Sequence, residues 1–293
     1  MTRTLPLLCA LLLVWADARG QQSYDYEAGS GSEETLDADL DLGLGSVQLR
    51  AASGRAPVIA IEGTIADEEL TPLFSYDATG AYAEVVFEVN PDDGISIGGL
   101  RGAERNRWSI AVSDRVMLDL DFALGVGEAD LDLTGLRVER LDLSSGMART
   151  RVRFAEPNPV PMKMLSVEAG MAPVEMQGLG NARFERFEFE GGMGSFRLDF
   201  SGDALLAGAE ADIEVGMGKL HLVLPDDGAV VLIAPDSWVS RIRIPNGYTK
   251  ESEGVWHSPA VRDADDALRI EVEAGMGSIE CVLASDAGVG SGE

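Results

Sequence analysis

From Leu36 onward, apolar and polar residues alternate in short runs punctuated by Gly, Pro, Asn and Asp. Successive side chains of an extended chain leave on opposite sides, so a period of two marks strands with one face buried. The runs "LDADLDLGLGSVQLR", "LDLDFALGVGEADLDL" and "ADIEVGMGKLHLVL" are representative. Thr, Val, Phe and Ile fill them, and no helix-period pattern of any length interrupts them. The pattern predicts an all-β chain.

In each run the alternation breaks at a glycine figure and then resumes. The first glycines of that figure are Gly43, Gly125, Gly146, Gly170, Gly192, Gly216 and Gly275. From Gly125 to Gly216 the steps are 21, 24, 22 and 24 residues, whereas gaps of 82 and 59 flank that block. Such regularity is the mark of stacked units, each too small to bury its own apolar face. The expected architecture is therefore solenoid-like, with stacked β-strand repeats as in a β-helix. The wide gaps must hold degenerate repeats or insertions.

Two columns test this alignment. Four residues past the first glycine stand Val47, Ala129, Thr150, Val174, Phe196, Leu220 and Ile279. Six past it stand Leu49, Leu131, Val152, Met176, Leu198, Leu222 and Cys281. Both read as interior. Between the glycines lie Leu44, Val126, Met147, Met171, Met193, Met217 and Met276. Because the methionines share their place with Leu44 and Val126, the column is expected to point inward and fill irregular space at a bend. A copper(I)-binding methionine cluster is the sharper alternative. The glycines themselves are expected to supply backbone freedom and close approach at that bend, so that Gly216→Val should damage the fold. "GMG" is no phosphate loop, since it lacks the Lys-Ser/Thr pair and a following helix.

The polar columns sort into two kinds. Five residues past the first glycine, Asp130, Arg151, Glu175 and Arg197 alternate in sign, with His221 expected to replace an arginine. Glu128 should face Arg149, and Asp132 should face Arg153. Before the glycines the charges are alike. Two residues before the first glycine stand Asp41, Ala123, Ser144, Glu168, Glu190, Glu214 and Glu273, and four before it stand Asp39, Asp121, Asp142, Ser166, Glu188, Asp212 and Glu271. At a strand spacing of ~4.8 Å, neighbouring like charges repel by roughly 1 kcal/mol in water and about 4 at an effective dielectric of 20. Solvation, interleaved Lys or Arg, or a bound cation must relieve that. Calcium suits loosely arranged carboxylates, which makes Glu168, Glu190, Glu214 and Glu273 the candidate metal-binding residues.

The ends bound the compartment. Residues 1–18, with Arg3, the apolar run Leu5 to Ala16 and the small residues Ala16 and Ala18, read as a secretory signal peptide. No other window is apolar and long enough to span a membrane. Removing the signal leaves about 275 residues, enough for one large β domain or two smaller ones. Residues 19–35 read as a flexible acidic leader and residues 285–293 as a flexible tail. The remaining Cys281 rules out an intramolecular disulfide and reads as a small buried hydrophobe. A formal charge of −27 argues against nucleic acid and anionic lipid as partners, and favours cations or a basic partner.

Catalytic signals are faint. His221 and His257 are the two histidines, and no nucleophile elbow or zinc-type His/Cys spacing accompanies them. Carboxylate pairs are plentiful enough that a glycan-active β-helix enzyme stays as an alternative.

The runs "LDLDFALGVGEADLDLTGLRVERLDLSSGMARTRVRF", "ADIEVGMGKLHLVLP" and "LRIEVEAGMGSIECVL" resemble the bacterial toast-rack proteins. That group includes domains of unknown function, the C-terminal region of LiaF-like envelope-stress proteins and domains labelled putative adhesins. The resemblance implies an N-terminal toast-rack unit over residues 36–116 and a β-repeat toast-rack domain over 117–284. It also implies an exported, non-enzymatic protein of the cell envelope that is periplasmic, outer-surface or secreted. Such a protein would be an adhesin-like interaction or scaffold module, its partner an unidentified envelope protein or surface ligand. A periplasmic component of a LiaF-like stress response is the alternative. No catalytic residue or cofactor carries over from the family.

Overall fold

Most of the alternating runs form one long strand bent at the glycines, and the run around Gly170 forms two shorter strands on either side of it. The computed structural model describes residues 11–16, 22–54, 56–66, 70–90, 105–234 and 240–287. In chain order the strands are β1 (Leu11–Ala16), β2 (Gln22–Ala28), β3 (Thr35–Ala52), β4 (Ile59–Ile65), β5 (Leu73–Thr79) and β6 (Tyr82–Val89). There follow β7 (Arg107–Ser113), β8 (Met117–Asp132), β9 (Arg137–Arg153), β10 (Met162–Ala169), β11 (Val174–Gln177) and β12 (Phe184–Asp199). The last are β13 (Glu210–Leu224), β14 (Val230–Ile233), β15 (Ser240–Arg243), β16 (Thr249–Ser252), β17 (Val255–His257) and β18 (Leu268–Leu283). Two one-turn helices, α1 (Leu179–Ala182) and α2 (Ala284–Ala287), complete the described chain.

The bent strands stack in parallel and in register, each forming a rung of one continuous sheet. β8 and β9 are joined by only Leu133 to Leu136, so the end of one rung returns to the start of the next. That is possible because the two arms of a rung fold back toward each other. Their inner sides make the core. In β8 the first arm contributes Leu118, Leu120, Phe122 and Leu124, and the second contributes Ala129 and Leu131, all buried. The arms meet most tightly in β12, where Phe189 and Phe196 pack edge to face at 5.2 Å and Phe187 lies 5.9 Å from Phe200. Both interior columns read from the sequence are buried throughout. The one polar member, Thr150, is satisfied by Ser145 across the bend, with 2.9 Å between the hydroxyls.

Turns between rungs are stitched by side chains. The Asn158 amide donates to Val138 O at 2.7 Å and to Ala182 O at 3.2 Å, while its carbonyl accepts Val138 N–H at 3.2 Å. One buried amide thereby ties together three consecutive rungs.

The stack is not in chain order at its ends. β3 lies between β8 and a split terminal rung made of β6 and β7. β18 likewise lies between β13 and a split rung made of β14 and β15. Neither split rung carries the glycine figure. Antiparallel strands cover them: β5 on β6, and β4, β2 and β1 in succession on β7. At the other end β17 and then β16 cover β14. These strands occupy the two wide gaps and the N-terminal segment, and they cap β6, β7 and β14, whose outer edges are thereby paired. The caps are thus built from insertions, not from the C-terminal tail, where α2 is followed by residues outside the described set.

One reading of the ends is corrected. Residues 19–35 were expected to be a flexible leader, yet β2 places Tyr24, Tyr26 and Ala28 in the core, with Tyr26 4.8 Å from Phe74. Aromatic burial outweighs the acidic, Gly/Ser-rich composition of that segment. His257 ends β17, paired opposite Val231. Most of the expected signal peptide lies outside the described residues; Leu11–Ala16 form β1, antiparallel to β2.

Candidate functional site

The bend between the arms follows from parity. In β13 the inward residues are Ala211, Ile213 and Val215 before the glycines, and Leu220, Leu222 and Leu224 after them. Val215 and Leu220 are five positions apart, so strict alternation cannot connect them, and Gly216-Met217-Gly218 absorbs the slip. In four rungs the second glycine takes the left-handed angle: φ is 142° at Gly218, 146° at Gly277, 138° at Gly127 and 150° at Gly45. The first glycine serves lateral space instead. A Cβ at Gly125, Gly146, Gly170, Gly192, Gly216 or Gly275 would lie 2.4–2.8 Å from the carbonyl oxygen of the first glycine in the preceding rung. Unusual backbone angles are therefore needed at Gly218, while Gly216 is needed for backbone-on-backbone stacking.

The apex residue was expected to point inward, and this is corrected. Met147, Met171, Met193, Met217 and Met276 are 50, 61, 50, 39 and 51% exposed. The apex of a bend around a core lies on its convex side, where no interior is available to fill. Leu44 alone is buried, at 2%; Gly45 beside it lies against Asn106, next to β7.

Next to the glycines, a groove of about 710 Å³ crosses β9, β10, β12, β13 and β18. Its floor is Gly146, Gly170, Gly192, Gly216 and Gly275, and Ser144, Glu168, Glu190, Glu214 and Glu273 line its wall. The register sets Glu168 opposite Glu190, Glu190 opposite Glu214, and Glu214 opposite Glu273. The four candidate metal-binding glutamates thus stand in a line along the stack. Among the described residues, no group of three or more His, Cys, Asp or Glu side chains is placed to hold a metal ion.

The rest of the first arm is acidic as well. Asp121 lies between Asp39 and Asp142. Partial burial, then Asp142 and Asp39, raise its pKa above the ordinary 3.8. Burial followed by Asp41 and Asp37 does the same to Asp39. Basic residues relieve part of this. Arg186 spans three carboxylates, at 2.8 Å from Glu188, 3.1 Å from Glu210 and 2.9 Å from Asp212. Lys163 sits 2.8 Å from Glu139.

The second arm orders its charges by sign. Asp130, Arg151, Glu175, Arg197, His221 and Glu280 face one another in sequence across the rungs. Glu175 lies 3.9 Å from both Arg151 and Arg197, and Arg153 lies 3.7 Å from Asp132. His221 does not stand in for an arginine at neutral pH. Burial and the Arg197 guanidinium hold its pKa below the ordinary 6.5, against the pull of Glu280 at 3.6 Å. Cys281 is buried, and burial pushes its thiol up to about 12, which keeps it from acting as a nucleophile. Among the described residues no helix is long and apolar enough to cross a membrane.

A putative cell adhesion protein from Clostridium sporogenes ATCC 15579 is 16% identical, over 90% of this chain and 99% of its own, with a TM-score of 0.45. A putative adhesin from Bacteroides fragilis NCTC 9343 is 12% identical, over 89% of this chain and 96% of its own, with a TM-score of 0.38. No protein of curated function matches the sequence. The family described as the N-terminal domain of toast_rack, DUF2154, matches residues 17–177, more than half of the chain. The bent, glycine-hinged rungs are thus those of a toast-rack protein, and it is to the Toast_rack_N family that this chain belongs.

Proposed function

We propose that the protein is an exported, non-enzymatic interaction or scaffold module of the bacterial cell envelope, and that the acidic outer side of its first arm is the contact surface. The observation that carries this reading is the set of like-charge columns held in register, Asp39, Asp121 and Asp142 from β3 to β9 and Glu168, Glu190, Glu214 and Glu273 from β10 to β18. Their mutual repulsion costs stability, and the second arm of the same rungs shows that alternating charges fit the same spacing. A surface that keeps a costly field in spite of this is suited to attract a cationic partner, to steer its approach and to hold it over several rungs. Membership of the toast-rack family and the many-rung periodicity support a surface used for docking over a single reactive centre.

The test is binding of the purified chain to washed cells and envelope fragments of its source at low and high salt. The reading expects binding that weakens as salt rises. It expects further loss in the Glu190→Gln/Glu214→Gln/Glu273→Gln variant and none in the Glu128→Gln/Asp130→Asn variant of the other arm. Equal binding by both variants, or no binding at any salt, overturns it.

A further inference from the structure

Five of the ten methionines stand in one exposed row along the bend, and neither the packing nor the charge pattern requires them. Backbone pairing lines them up: Met193 faces Met217, Met217 faces Met276, Met171 N–H donates to Gly146 O, and Met193 N–H donates to Gly170 O. Where the apex is buried the residue is Leu44, and in the neighbouring rung it is the partly buried Val126. Where the apex is open it is methionine each time. An exposed apex on a convex edge, flanked by two glycines at Met193, Met217 and Met276 and by Gly and Ala at Met147 and Met171, would accept a polar residue as readily, so a uniform row of thioethers calls for a property that thioethers alone supply. General apolar docking does not, because leucine, isoleucine or phenylalanine would serve it equally. Ligation of a soft cation does.

We propose that this ridge binds a soft monovalent metal ion of the copper(I) class through the thioether sulfurs of Met193, Met217 and Met276, with Met147 and Met171 extending the row. Adjacent rungs lie ~4.8 Å apart, and each methionine has three rotatable bonds. Neighbouring sulfurs can therefore turn toward one ion, and three consecutive rungs supply a three-sulfur set. The glutamate wall of the adjacent groove lends a negative field that concentrates cations, while its hard oxygens do not compete for a soft one. Thioethers do not titrate, so binding should persist at mildly acidic pH, unlike a site built on His221 or on the buried thiol of Cys281.

The test titrates the full chain with copper(I), kept reduced in the absence of oxygen, against a competing copper(I) chelator. A parallel titration with silver(I), a redox-inert probe, follows the methionine methyl resonances. The expected result is capture of at least one equivalent at both pH 7 and pH 5, with shifts at Met193, Met217 and Met276. The Met193→Leu/Met217→Leu/Met276→Leu variant keeps the apolar bulk and should lose affinity by more than roughly tenfold. Cys281→Ser should bind as the parent does. Unchanged affinity in the leucine variant, or no shift of those methyl groups on silver(I) addition to the parent, overturns the proposal. The methyl readout uses the unmodified chain and stands even if the triple variant folds poorly.

Discussion

The two arms of every rung share one core, one strand spacing and one register, and they order their outer charges in opposite ways. On the second arm, Asp130, Arg151, Glu175 and Arg197 alternate, so each rung attracts the next and a one-rung slip would set like charges together. On the first arm, Asp39, Asp121 and Asp142 repeat the same sign, as do Glu190, Glu214 and Glu273. Register is therefore reinforced from one side of the bend, and the other side is free to carry a field that its own stability would not select. Arg186, gripping three carboxylates, shows how that field is kept tolerable.

The hinge between the arms gives the largest expected effect. Gly218→Val introduces a Cβ 1.9 Å from Gly194 O at a φ of 142°, with no flexible group to give way. A loss of about 4 kcal/mol or more is expected in denaturant unfolding, enough to unfold many domains outright. Met217→Leu, one residue away on the open apex, should stay within about 0.5 kcal/mol of the parent. If the two melt alike, the account of the bend fails.

Single charge removals should have opposite signs on the two arms. Glu175→Gln breaks contacts to Arg151 and Arg197 and should destabilise by about 0.5 kcal/mol. Asp121→Asn removes a carboxylate crowded by Asp39 and Asp142 and should raise the melting temperature by a similar increment. Two shifts of the same sign would erase the contrast.

Acidification should separate the arms as well. Asp39, Asp119 and Asp121 have folded pKa values above the ordinary 3.8, so the folded state holds their protons more tightly. Their penalty is fully present above those raised values and is relieved as pH falls through them toward 3.8. His221 runs the other way. Its folded pKa is below 6.5, so its contribution is lost as pH falls from 6.5 toward the lowered value. Melts from pH 7 to pH 4 should show Asp121→Asn with a smaller gain on acidification, and His221→Gln without the loss just below pH 6.5.

Calcium should have the smallest effect. Glu168, Glu190, Glu214 and Glu273 stand in a line and do not converge, whereas calcium takes 6–8 oxygens. Melts in calcium and in chelator at matched ionic strength should superimpose within about 2 °C. A rise of many degrees would mean that neighbouring glutamates bridge an ion in pairs.

Much of the rack was legible because its units repeat. The pairing of Asp130 with Arg151 and Arg151 with Glu175 could be read from sign alternation at a constant offset from glycine, and both interior columns from period two. The terminal rungs were not, since β6, β7, β14 and β15 lack the glycine figure and enter the stack out of chain order. In "QSYDYEA" the alternation of Tyr24, Tyr26 and Ala28 was present but masked by the acidic, Gly/Ser-rich residues around it. The methionine row was visible as a column, and its direction was misjudged. The five-residue separation of Val215 and Leu220 shows that the glycine figure shifts the alternation by one, and that shift is what turns the apex outward. The groove beside it could not be read at all, since it arises from side chains that glycine lacks.

The place of β18 has a consequence for assembly. The chain lays down β13 and later β14 and β15, yet these do not touch as neighbours until Leu268–Leu283 is wedged between them. The penultimate rung is thus synthesised after the terminal one. A chain emerging N-terminus first, from a ribosome or through a translocation pore, must hold two strand edges open until Leu268–Leu283 is free. Closure of this end of the rack waits on that one segment, and a chain truncated before Leu268 would be left with adhesive edges in place of a finished wall.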